Sequence, residues 1–80
     1  ELSTLEWQIY PNPVKQILNI NGQSLDQQDY QINIFSAVGK LISSEQNIRS
    51  IDLNHLSNGL YLIQLSTQQT KSIRKFILIK

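Results

Sequence analysis

The sequence predicts an all-β domain, a seven-stranded antiparallel β-sandwich of immunoglobulin-like character. Three observations predict it. Apolar residues recur at every second position over most of the chain; the apolar side chains are largely β-branched or aromatic; and the runs are separated by turn-forming Pro, Gly and Asn. Helical spacing is sustained nowhere.

The first run, Trp7 to Tyr10, meets Pro11-Asn12-Pro13. Each proline lacks a backbone donor, fixes its own φ and biases the residue before it toward extended geometry, so Tyr10 to Pro13 is a rigid corner that ends one strand and aims the next. Asn12 is placed to cap that corner. A second strand is expected over Gln16 to Asn21, with Leu18 and Ile20 inward, followed by a polar loop over Asn21 to Asp29. The third, Tyr30 to Ser36, turns Ile32 and Ile34 inward, and Phe35 falls on its opposite face.

Ser36-Ala37-Val38-Gly39 fits a type I turn closed by a glycine at positive φ, leading into a fourth strand over Lys40 to Gln46. A short strand over Ser50 to Leu53 follows. Asp52 to Ser57 suits a single helical turn, with Asp52 or Asn54 as cap and Leu53 and Leu56 folding inward. Asn58-Gly59 then releases the chain into a strand over Leu60 to Ser66, whose inward residues are Tyr61, Ile63 and Leu65. Thr67 to Thr70 forms a hairpin tip before the last strand, Ser72 to Ile79. There Ile73, Phe76, Ile77, Leu78 and Ile79 place apolar groups on both faces, as in a strand covered on both sides or one that meets a partner.

Composition narrows the function. Eighty residues suit one domain, and a chain of this size buries about 60–65% of the surface its unfolded form exposes. Residues 1–6 read as the end of a linker and residues 7–80 as the domain. There are no cysteines, so disulfides, thiolate catalysis and cysteine metal sites are excluded. No apolar run approaches the roughly 20 residues that span a bilayer. Glu1 to Glu6 lacks the basic and apolar segments of a signal peptide, and any such signal is expected outside this stretch. Residues 1–52 hold all six acidic residues and three basic ones, whereas residues 53–80 hold four basic residues and no acid.

That cationic third lacks the dense basic face interleaved with exposed aromatics that nucleic-acid binding requires, and nucleic acid is not an expected partner. Catalysis has little to rest on. His55 is the one histidine and reads as an exposed turn residue; Asp26 and Asp29 make a poor calcium set; Gly22, Gly39 and Gly59 form no phosphate-cradling loop. No catalytic residue, metal or cofactor is expected. Trp7 reads as an anchor between linker and sandwich, or else as a surface aromatic touching a sugar.

Four signals occur in a fixed order: Pro11-Asn12-Pro13, Gly39-Lys40, Leu56-Ser57-Asn58-Gly59-Leu60-Tyr61, and Lys75-Phe76-Ile77-Leu78-Ile79-Lys80. In that order they resemble the type A C-terminal sorting domain of the type IX secretion system, the Por secretion tail family, over Ile9 to Lys80. One departure is Ala37-Val38, where the family often has Asp or Asn just before the hairpin glycine.

The resemblance implies a non-catalytic secretion signal that directs an attached passenger across the outer membrane and is cleaved afterwards. It implies passage through the periplasm to the cell surface or the medium. The implied partners are the outer-membrane translocon and its shuttle proteins, a sortase-like signal peptidase and the preceding passenger. Mapped onto this chain, the family's motif falls on Pro11, Asn12, Pro13, Gly39, Lys40, Gly59 and Tyr61, which read mainly as backbone devices. The candidate recognition residues are Arg74, Lys75, Phe76, Ile77, Leu78, Ile79 and Lys80. A basic, apolar last strand can also add to another sheet's edge, including that of a second copy in a homodimer. The competing expectation is an adhesion or carbohydrate-binding sandwich retained on the mature protein and using Trp7 or Phe35.

Overall fold

The period-two alternation is realised as seven strands in the computed structural model, which describes residues 6–80. They are β1 (Trp7–Tyr10), β2 (Ile17–Gly22), β3 (Gln31–Ser36), β4 (Leu41–Gln46), β5 (Ser50–Asp52), β6 (Gly59–Ser66) and β7 (Lys71–Leu78), each within one residue of its expected bounds. One sheet has the order β1-β2-β5 and the other β4-β3-β6-β7, with every pair antiparallel. Of the expected linker, residues 1–6, only Glu6 lies among the described residues.

The crossovers from β2 to β3, from β4 to β5 and from β5 to β6 carry the chain between sheets, which is how an immunoglobulin-like sandwich brings two inner faces together. The inner faces hold Leu18 and Ile20 from one sheet and Ile32, Ile34, Tyr61, Ile63, Leu65, Phe76 and Leu78 from the other, all buried. Burying one such side chain contributes about 1.5–3 kcal/mol. Trp7 closes one flank. Its indole Nε1 donates to Ser72 Oγ at 2.9 Å, and the Arg74 guanidinium lies 5.0 Å from its ring centroid while donating to the Trp7 carbonyl at 3.0 Å. Trp7 is therefore the anchor of the two readings, 2% exposed beneath Arg74.

Two local expectations are corrected. Asp52 to Ser57 forms a hydrogen-bonded turn rather than a helical one: Leu56 N donates to Leu53 O at 3.0 Å and Asp52 Oδ1 accepts from Asn54 N at 2.9 Å. Leu53 is nonetheless buried and Leu56 packs against the core. The helical piece lies instead in the stretch expected to be a polar loop, as a single 3₁₀ turn at Leu25–Gln27. Leu25 is 2% exposed, and drawing this one apolar side chain inward winds the backbone around it. Gly22 permits the approach, because a Cβ there would sit 2.9 Å from both Glu6 O and Leu25 Cγ.

The β3–β4 hairpin follows its sequence. Gly39 has φ +91° and donates to Ser36 O at 2.9 Å, while Ser36 Oγ accepts from Lys40 N at 3.1 Å. The departure at Ala37-Val38 leaves the turn intact because the positive φ falls on the glycine. At the far side of the sandwich, the Tyr30 hydroxyl donates to Ile48 O at 2.7 Å, Asn47 Oδ1 accepts from Tyr30 N at 2.9 Å, and Arg49 pairs with Asp26.

Phe76 stacks on Tyr61, with ring centroids 5.6 Å apart, and is fully buried. Phe76→Ala is expected to cost about 3–5 kcal/mol in a denaturant titration, most of the stability of a domain this small. Burial raises the Tyr30 phenol pKa above its ordinary 10; Arg49 opposes the shift and Asp26 adds to it. The unfolded chain then releases this proton first and binds fewer protons than the fold, so stability falls as pH rises past about 10. Tyr30→Phe should flatten that alkaline limb, while losing about 1 kcal/mol at neutral pH with its hydrogen bond to Ile48.

Candidate functional site

An edge strand exposes a row of unpaired backbone groups, and β7 is an edge strand. The chain leaving β1 covers part of that edge. After Tyr10–Pro11 and Asn12–Pro13, both cis, Val14 lies alongside β7 as a parallel bridge to Leu78. Val14 N donates to Ile77 O at 2.8 Å and Ile79 N donates to Val14 O at 2.8 Å. Asn12 continues the pairing with its side chain, its Nδ2 donating to Lys75 O at 3.2 Å and its Oδ1 accepting from Ile77 N at 3.0 Å. A primary amide carries a donor and an acceptor as a peptide group does, so one side chain replaces a residue of strand. The prolines flanking it leave the ladder no competing N–H of their own.

Other motif residues converge on the same strand. Gly59, at φ +155°, pairs with Leu78, and Tyr61 pairs with Phe76 while its hydroxyl donates to Ser57 O at 2.6 Å. Asn58 Oδ1 accepts from Lys80 N at 3.0 Å, and Lys80 Nζ donates to Asn54 O at 2.7 Å. The hairpin of Gly39 and Lys40 does not touch β7. It lies at the same end of the sheet, since Ser36 pairs with Tyr61 and Tyr61 with Phe76.

The seven recognition candidates separate by their surroundings. Phe76 and Leu78 are fully buried in the core. Arg74 is held over Trp7, and Lys80 is tied to Asn54 and Asn58. Lys75 and Ile77 remain as outward-facing, exposed side chains of the strand, with Ile79 exposed just past its end, and Ile73 joins them at 56% exposure. Their backbone is another matter. The edge groups Lys75 O, Ile77 N, Ile77 O and Ile79 N are already bonded, so this part of β7 has no vacancy for an added strand.

A family model described as the secretion system C-terminal sorting domain matches residues 8–80. The chain belongs to that family, the type IX secretion C-terminal sorting domains. No curated protein matches the chain. A sorting domain of this kind serves as a C-terminal signal for type IX secretion, works with that machinery and an attached passenger, and implies export to the cell surface or the medium.

In this sorting domain the motif residues are joined physically, by Asn12 against β7 and by Asn58 against Lys80. Val14 is a member of the site absent from the sequence-based candidates. An apolar residue directly after a double-proline corner was its signal. The unbroken run Leu60-Tyr61-Leu62-Ile63 places apolar groups on both faces of β6, with Leu60 and Leu62 on the outer one. His55 is exposed, and among the described residues no three His, Cys, Asp or Glu side chains are grouped as metal ligands would be. No buried side-chain nitrogen or oxygen among them lacks a hydrogen-bond partner.

Asn12→Ala removes both side-chain bonds to β7. The expected loss is about 1–2 kcal/mol in a chemical melt, together with faster amide exchange at Ile77, whose N–H loses its acceptor, and unchanged exchange at Ile63 relative to global unfolding. Asn12→Asp retains an acceptor for Ile77 N but sets a carboxylate against Lys75 O, and should be no better than alanine.

Proposed function

We propose that residues 7–80 are a non-catalytic secretion signal, read as a folded domain by the type IX shuttle and translocon, that carries a preceding passenger through the periplasm and across the outer membrane. Residues 1–6 are the end of the linker from that passenger. A sortase-like signal peptidase removes the domain afterwards, and the passenger is then released or held at the cell surface. The observation that carries this reading is the family match over residues 8–80 on a fold in which Asn12, Asn58, Gly59 and Tyr61 converge on β7 and its end.

Recognition falls to the outward-facing Lys75 and Ile77 of β7 and to Ile79 just past its end, while Phe76, Leu78, Arg74 and Lys80 hold the strand in place. The motif residues Pro11, Asn12, Pro13, Gly39, Gly59 and Tyr61 act through the backbone they shape. The carbohydrate-binding alternative draws no support from Trp7, whose ring is covered.

The test is a fusion of residues 1–80 to the C-terminus of a periplasmic reporter with its own signal peptide, expressed with and without a functional type IX translocon. Reporter outside the cell only when the translocon is present, shortened by about the mass of the domain, is the expected result. Reporter held in the periplasm of both strains would overturn the proposal.

A further inference from the structure

The outer face of the four-stranded sheet is divided along its length. Residues paired across strands share a face, so the registers define rows of outward side chains. Two rows are polar for most of their length: Gln46, Gln31, Ser66 and Lys71, then Ser44, Asn33, Gln64 and Ile73. These carry their own hydrogen bonds, Gln31 Nε2 to Ser44 Oγ at 2.6 Å and Asn33 Nδ2 to Gln64 Oε1 at 3.2 Å. The next row reads Leu41, Phe35, Leu62 and Lys75, and the last pairs Leu60 with Ile77. Leu41, Leu60 and Ile77 are 53%, 44% and 43% exposed.

One half of the face is thus polar and bonded in part to itself. The other half is a contiguous apolar surface at the end where the motif residues gather. Charge on this face is of one sign: its outward positions on β3, β6 and β7 include Lys71 and Lys75 and no carboxylate, and Lys40 enters at the hairpin. Glu45 pairs with Ile32, away from the apolar rows. The β7 backbone beside this surface is already bonded to Asn12 and Val14, so docking there proceeds through side chains rather than by strand addition.

We infer that this apolar end of the outer sheet face, Phe35, Leu41, Leu60, Leu62 and Ile77 with Lys75 at its margin, docks on a protein surface that presents apolar side chains edged by carboxylates. An apolar patch without like-charged acids at its rim excludes water from the contact, and the lysine then selects a partner of opposite charge. The inference rests on the sorting reading and names the surface by which the signal is recognised.

The reporter fusion tests it with four variants: Leu60→Ser with Ile77→Ser, Lys75→Glu, Lys75→Arg, and Gln64→Ser as a polar-end control. The first two should lower translocon-dependent export at least tenfold and the control less than twofold. Lys75→Arg, which keeps the charge, should retain export. Thermal melts of the purified fusions, within a few degrees of one another, separate recognition from folding. Normal export of the Leu60/Ile77 variant would overturn the inference. Normal export of Lys75→Glu would overturn its acidic partner. If the fusion sediments as a dimer that this pair dissociates without loss of export, the face joins two copies instead. If it binds anionic phospholipid vesicles through the same residues while export persists, the face is a membrane surface. Failure of the unaltered fusion to leave the cell is a separate result and removes the sorting reading itself.

Discussion

The bonds between the Tyr10–Val14 corner and the outer edge of β7 govern how this small sandwich is closed. A last strand with apolar side chains on both faces and a free backbone edge is a template for unwanted pairing. Asn12 and Val14 bond the part of that edge nearest the core residues Phe76 and Leu78. The segment that does so belongs to the excursion between two strands of the opposite sheet, so the corner also ties the two layers together. Trp7 adds a second tie farther along, through Ser72 and Arg74.

This closure separates the two roles of the β7 side chains. Alternation sends Phe76 and Leu78 inward and Ile77 outward, and Arg74, on the inward set near the sheet's flank, is turned onto Trp7. A positive charge over an indole face is held by the ring quadrupole as well as by its hydrogen bond. The cationic character of residues 53–80 is therefore unequally available. Lys75 stands on the open face, whereas Arg74 and Lys80 are bonded to backbone carbonyls.

On the proposed reading of this sorting domain, recognition is a property of a folded surface rather than of a linear tail. Motif residues far apart in the chain, Asn12, Asn58, Gly59 and Tyr61, become one unit because each is bonded to or paired with β7 or its end, while the Gly39-Lys40 hairpin lies at the same end of the sheet. A receptor reading that strand's outward side chains reads the state of the whole domain, since those side chains are held in register only when the core beneath them is packed.

Alternation of apolar and polar residues was enough to determine the strands, because side-chain period is a local property of extended backbone and burial of one face selects the register. Turn chemistry placed the hairpin at Gly39 for the same reason, positive φ being a property of one residue. The order of motifs also led to the family. Other features depended on contacts between residues far apart in the chain. The 3₁₀ turn at Leu25 arises from a single side chain reaching a core formed by other strands. The turn at Asp52 to Ser57 satisfies its backbone without completing a helix. That Asn12 would complete the edge of a strand more than 60 residues later, that Arg74 would be fastened to Trp7 while Lys75 stays open, and that apolar residues of four strands would meet on one outer face were decided by sheet order. Period and turn residues do not encode sheet order, because it follows from which packing of all the strands buries the most apolar surface with its hydrogen bonds intact.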